Sequence, residues 1–174
     1  MIRKATAADL PAVERLYEEI HDAKEAGLIP VIWRRGVYPS RATALAALER
    51  DDLFVLEEDG RIIGSAVINQ IQDEIYFGAP WKHGVPDDRV CVLHTMMVSP
   101  AEFGKGHARA FLRFYEEYAL AHGWPELRID TNDRNTVAQA MYRRHGYEEV
   151  AVLPVGMFNG IEGVRLMLLE KYLG

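Results

Sequence analysis

A single cysteine among 174 residues leaves Cys91 without a partner for an internal disulfide, and it excludes metal sites built on paired thiolates. The opening residues, MIRKATAADL, lack the apolar centre of a secretory leader, and no stretch approaches about 18 uninterrupted apolar residues. Neither export nor a membrane partner is expected, and a cytoplasmic location is the default. Dense runs of Lys and Arg are missing too, and a formal net charge of -6 would repel a phosphodiester backbone. Nucleic acid is therefore not an expected partner. Repeats, low-complexity tracts and linker-like segments are absent, and the length suits one full core better than two. Residues 1–174 are expected to form one domain.

What is there reads as a run of alternating elements. Ile2 to Ala5 form a short strand, and Thr6 with Asp9 three residues on is a capping-box signature for a helix carrying Leu10, Val13, Leu16, Tyr17 and Ile20 on one face. Ser40 is a good N-cap for a second helix, with Ala44, Leu45 and Leu48 as its inner stripe. The segment between the two helices, AGLIPVIWRRGVYPS, has no clean period and reads as a partly ordered loop. LFVLEE and RIIGSAVINQ flank Asp59-Gly60, the strongest short-range hairpin signal in the chain. DEIYFGAPWKHGVPDD is a long connection, and VCVLHTMMVS, apolar on both faces, fits a central strand. A helix after the glycine pair Gly104 and Gly106, the strand LRID, a helix capped by Asn135, and two strands around FNGIEG complete the chain. That order predicts an α/β (α+β) architecture with a mixed sheet and helices on both faces.

The stretch SPAEFGKGHARAFLRFYEEY puts bare backbone at the mouth of a helix. A P-loop needs Lys-Ser or Lys-Thr after its last glycine, which Gly106-His107 does not supply, and Arg109 occupies the third glycine position of a dinucleotide fingerprint. The remaining match is the Q/R-x-x-G-x-G/A signature over Phe103 to Ala108, preceded by Val98-x-Pro100. A second pattern, N-x-x-A-x-x-x-Y-x-x-x-G-F/Y, is met by Asn135, Ala138, Tyr142, Gly146 and Tyr147. With these two motifs together the chain resembles the GNAT superfamily of acetyl-CoA-dependent N-acetyltransferases, most closely from Val90 to Tyr147.

The resemblance implies a single-domain, mostly antiparallel central sheet of about seven strands. It implies acetyl-CoA as co-substrate, with no metal, and transfer of its acetyl group to a primary amine of a small molecule or peptide by direct attack in a ternary complex. Physical chemistry agrees at the glycine turn, because a helix N-terminus leaves N–H groups unpaired and carries partial positive charge, which suits a diphosphate. Gly104, Lys105, Gly106, His107 and Ala108 would hold that group, with Met96, Met97 and Val98 along the pantetheine arm and Asn135 and Tyr142 beside it. Phe103 stands where the family usually has Gln or Arg, so one polar contact is missing. Tyr142 falls at the position of the family's proton donor to the leaving thiolate, and a backbone N–H near Met97 and Val98 at that of the oxyanion donor. Val92 occupies the place of the strand glutamate that some members use as a base. His94, two residues on and on the same face, is the candidate instead, with Asp130, Asp73, Glu74 or a water chain as alternatives.

Lys105 and His107 could touch phosphate, whereas His21, His83, His122 and His145 read as surface or capping residues. Cys91 reads as core. Trp33, Tyr38, Tyr76 and Trp81 either line an acceptor pocket or pack the two irregular segments down, and Arg34 or Arg35 is placed to pair with an acceptor carboxylate. A coenzyme-binding sensor or assembly domain without turnover is the alternative to an enzyme, and homodimers are common among such folds.

Overall fold

Asp59 and Gly60 both lie at positive φ, 49° and 73°, and close β2 (Leu53–Glu58) onto β3 (Arg61–Asn69). These are the angles that a two-residue primed turn requires. The computed structural model describes residues 1–174. Its seven-stranded sheet has the order β1-β2-β3-β4-β5-β7-β6, with β1 Ile2–Lys4, β4 Val90–Val98, β5 Glu126–Asn132, β6 Glu148–Phe158 and β7 Ile161–Tyr172. Four α-helices accompany it: α1 Leu10–Glu25, α2 Arg41–Glu49, α3 His107–Ala121 and α4 Thr136–Arg144. The β4–β5 pairing is parallel, and β1–β2, β2–β3, β5–β7 and β6–β7 are antiparallel. The mostly antiparallel mixed sheet expected from the sequence is what forms.

The chain divides into two compact units, Met1–Ile68 with Thr95–Phe111, and Asn69–His94 with Leu112–Gly174. In the first, Leu10, Val13, Leu16, Tyr17 and Ile20 of α1 pack with Ala44 and Ala47 of α2 and with Leu53, Val55, Val67 and Met97 of the sheet. The start of α1 is fixed by Asp9, whose Oδ2 accepts from the Thr6 N–H (2.8 Å) and whose carboxylate takes the fork of Arg3 at 2.8 and 2.9 Å. On α2 the inner stripe differs from expectation. Leu45 is 40% exposed and Ala47 is buried, because residues 44, 47 and 48 share one helical face and 45 lies a quarter-turn away.

In the second unit Val90–Leu93 pair with Glu126–Ile129, and β5 pairs along its whole length with β7. The Tyr115 hydroxyl, fully buried, donates to the Cys91 carbonyl at 2.6 Å and ties α3 to β4. Asn135 caps α4 as expected, accepting from the Ala138 N–H at 3.2 Å. The connection 70–89 contains two short 3-10 turns, Glu74–Tyr76 and Asp87–Arg89. No helix is long and apolar enough to cross a membrane.

Candidate functional site

Within the first unit, β4 leads through a 3-10 turn, Pro100–Glu102, into the glycine pair. Gly104 and Gly106 sit at φ 78° and 88°, in the left-handed region that side-chain-bearing residues avoid, and no atom lies within 4 Å of where either Cβ would stand. The first intrahelical bond of α3 runs from the Ala110 N–H to the Gly106 carbonyl at 3.0 Å. The amides of the first turn therefore have no acceptor inside the helix. Lys105, expected to touch phosphate, pairs here with Glu102 at 2.6 Å, and that contact holds the Glu102 carboxyl below its usual range. Nε2 of His107 makes no hydrogen bond and lies 3.6 Å from Glu58 and 3.7 Å from Glu102. Phe103 is 49% exposed.

On β4 itself the irregularity falls at Thr95, whose φ of 51° turns the strand just before half-buried Met96 and buried Met97 and Val98. Nothing in the sequence marks it, since a β-branched residue is a poor choice for that conformation. The Tyr38 hydroxyl and the Thr95 hydroxyl share a hydrogen bond, and Trp33 meets Tyr38 edge-on with ring centroids 6.4 Å apart. Both aromatics are half-buried, and Trp33 packs against the core of its unit. Arg35 is held by Glu18, Asp22 and Glu25 of α1 and is not waiting for an acceptor carboxylate. Arg34 is exposed, and its backbone bridges to Tyr38. His21 is 1% exposed, with Nε2 on the Pro39 carbonyl at 2.9 Å, so it belongs to the core and not to the surface.

The second unit gathers the remaining candidates. Tyr142, on α4, is 6% exposed. Burial pushes the phenol above its ordinary range, and the charge of Asp130 adds to this. Asp130, on β5, accepts from the Tyr76 hydroxyl at 2.8 Å. Its carboxyl is pushed up to about 7 by burial, with Asp73 adding repulsion and the Tyr76 hydrogen bond opposing. Burial also raises Asp73. A carboxylate oxygen from each aspartate and a ring nitrogen of His94 all lie within 4.8 Å of one another. Nε2 of His94 lies 3.1 Å from Asn69 Oδ1 and 3.0 Å from the Ile71 carbonyl. Asn69 Oδ1 already accepts from the Ile71 N–H, so both partners are acceptors and Nε2 carries the proton.

Tyr76 is 1% exposed and lines no open surface; it is a core residue whose carbonyl accepts from Trp81 Nε1 at 2.8 Å. Trp81 lies under the Arg128 guanidinium, 4.1 Å from its ring centroid. Burial pushes the Cys91 thiol up to about 12, which removes it as a nucleophile at neutral pH. Two features went unread in the sequence. Gln139 is buried and donates to the Asn132 and Asp133 carbonyls, fixing α4 to the end of β5. Glu126, Arg128 and Glu170 are buried together, and burial and the neighbouring Glu170 raise the Glu126 carboxyl.

A family profile described as the acetyltransferase (GNAT) family matches residues 13–147. The uncharacterized N-acetyltransferase YhfO of Bacillus subtilis is 26% identical over 152 residues, 85% of this chain and 89% of that protein. The fold recurs in the crystal structure of a GNAT family acetyltransferase from Streptococcus agalactiae, with a TM-score of 0.80 at 23% identity over 99% of this chain and 94% of that one. A Salmonella typhimurium structure holding its cofactor acetyl-CoA matches with a TM-score of 0.70 at 22% identity, over 100% of this chain and 94% of that one.

Proposed function

The chain belongs to the acetyltransferase (GNAT) family, and on that premise we propose that it transfers an acetyl group from acetyl-CoA to a primary amine of a small molecule or peptide. The observation that carries this reading is the glycine turn, where two left-handed glycines, open space around them and the unpaired amides of α3 form a cradle suited to a diphosphate. Lys105 and Glu102 form an exposed pair, and such pairs are weakly held. Lys105 can therefore exchange its carboxylate for a phosphate oxygen when the coenzyme arrives. Phe103 adds apolar surface where a polar contact is usual, and backbone amides supply the main attraction. Asn135 stays at the cap of α4 and sets the start of the helix that presents Tyr142.

In the proposed reaction the amine attacks the thioester carbonyl directly. A main-chain N–H at Met97 or Val98 stabilises the oxyanion, Tyr142 protonates the departing thiolate, and His94 takes part in removing the proton from the amine. Burial holds the phenol above its ordinary range, so Tyr142 carries its proton at neutral pH and has it available when the thiolate departs beside it. The whole of residues 1–174 serves as one catalytic domain in this reading.

Thermal unfolding with acetyl-CoA, followed by thiol release against a panel of amines, tests the proposal. At about 100 times Kd the coenzyme should add ~2.7 kcal/mol, or roughly 5–10 °C for a chain of this length. Thiol release that needs an amine supports transfer. A thermal shift without any amine-dependent release would instead favour a coenzyme sensor, the reading that Phe103 leaves open.

A further inference from the structure

Glu126 is 0% exposed and Glu170 1%, and neither oxygen of Glu126 accepts a hydrogen bond. The register of β5 on β7 sets Glu126 opposite Tyr172 and Arg128 opposite Glu170, so these four side chains share one face of the sheet. The Glu170 carboxyl comes within hydrogen-bonding reach of Glu126, yet two carboxylates have no donor between them. Arg128 does not supply it, because its Nε stands 3.6 Å from Glu126 Oε1 and makes no hydrogen bond. A single proton is the donor that the pair lacks. We propose that Glu126 and Glu170 hold one proton between them and form a clasp for the 70–89 connection, which loosens when that proton leaves.

The connection rests directly on that face. Both oxygens of Glu170 accept the Lys82 N–H, at 3.1 and 3.2 Å. Trp81 lies under the Arg128 guanidinium, which also donates to Gln72, and the His83 ring stacks on Tyr172 with centroids 4.5 Å apart. Trp81 Nε1 in turn holds the Tyr76 carbonyl, and the Tyr76 hydroxyl reaches Asp130. The clasp therefore sets how firmly the connection presents Asp73 and Tyr76 to the cluster around Asp130.

Burial raises the Glu126 carboxyl above its ordinary range, the neighbouring Glu170 adds to this, and the charge of Arg128 opposes it without prevailing. The other titratable groups around the pair are Lys82 and His83 of the connection, Asp87 near Arg128, Tyr172 on β7, and Glu148 on β6, which pairs with Lys82 Nζ. From β4 the residue in register with Glu126 is Val90, which is apolar. The docked state binds the proton more tightly than a released, hydrated pair would. Its contribution to docking is therefore complete below the ordinary carboxyl range of about 4.3 and is lost as pH rises through the raised value. Once the proton has gone, two like charges occupy a buried site, and water reaches them only if the connection lifts.

Hydrogen exchange read by mass spectrometry tests the clasp at pH 5 and pH 9, with each rate divided by that of an unstructured chain at the same pH and peptides from β2 and β3 as the reference. Protection in peptides spanning 70–89 should fall tenfold or more in the wild type relative to the reference. Glu126→Gln keeps the shape and supplies a permanent N–H to Glu170, so its protection should not change with pH; Glu170→Gln, which donates from the other side, carries the same expectation. Lys82 gives a second readout. Cleavage after it by a lysine-specific endoproteinase, corrected with the free peptide PWKHGV, should be faster at pH 9 than at pH 7 in the wild type and equal at both in Glu126→Gln. Wild-type protection that is the same at pH 5 and pH 9 overturns the clasp. A fall that persists in Glu126→Gln also overturns it, and its disappearance in Asp130→Asn would assign the effect to Asp130 instead. None of these measurements requires turnover, so they stand or fall independently of the transferase reading.

Discussion

Tyr142 and Asp130 show how burial sets the chemistry of single residues. Tyr142→Phe removes one oxygen and keeps the shape of the buried ring, so the fold should be little disturbed. In the proposed mechanism kcat should drop by roughly 10- to 1,000-fold with the acetyl-CoA Kd unchanged, as read by steady-state kinetics and calorimetric titration. Asp130 faces Asp73, His94, Tyr76 and Tyr142, and its folded pKa of about 7 lies above the ~3.9 expected when unfolded. The native state thus holds the proton more tightly. The stability this confers is complete below pH ~4 and disappears as pH rises through about 7. Asp130→Asn should consequently be more stable than the wild type at pH 8 and gain no such advantage at pH 4, measured by thermal unfolding at both pH values.

At the scale of elements, the junction between β4 and α3 concentrates the unusual backbone. Thr95, Gly104 and Gly106 all have positive φ within twelve residues, at 51°, 78° and 88°. Open space surrounds the two glycines, so a side chain there would meet backbone strain and no clash. Gly106→Val should cost ~1–3 kcal/mol locally and move the first amides of α3, with the acetyl-CoA Kd rising tenfold or more by titration. A second element-scale feature is the 70–89 connection, which is tied to its own unit by several unlike contacts. The Tyr76 hydroxyl reaches Asp130, Arg128 covers Trp81, and the Lys82 N–H donates to Glu170 at 3.1 and 3.2 Å. The segment is fastened by side chains in place of strand pairing, which is why its sequence shows no period.

For the molecule as a whole, the boundary between the two compact units runs through the middle of β4, at His94 and Thr95, and through α3, at Phe111 and Leu112. Neither unit owns a complete version of either element. Cooperative helices and strands do not melt by halves, so differential scanning calorimetry should show one transition whose calorimetric and van't Hoff enthalpies agree. Two resolved transitions would contradict the single-domain proposal.

The sequence by itself determined whatever depends on local spacing. Alternation and helical period gave the strands and helices, Asp59-Gly60 the hairpin, Asn135 the cap, and the glycine pair the bare mouth of α3, because each is encoded in neighbouring residues. Only the tertiary structure decided what depends on residues distant in the chain. It buried Tyr76 and His21, turned β4 at Thr95, and brought Asp73, His94 and Asp130 within 4.8 Å of one another. Charge and proton affinity at such a cluster arise from burial and from neighbours twenty or more positions away, and no local pattern records either.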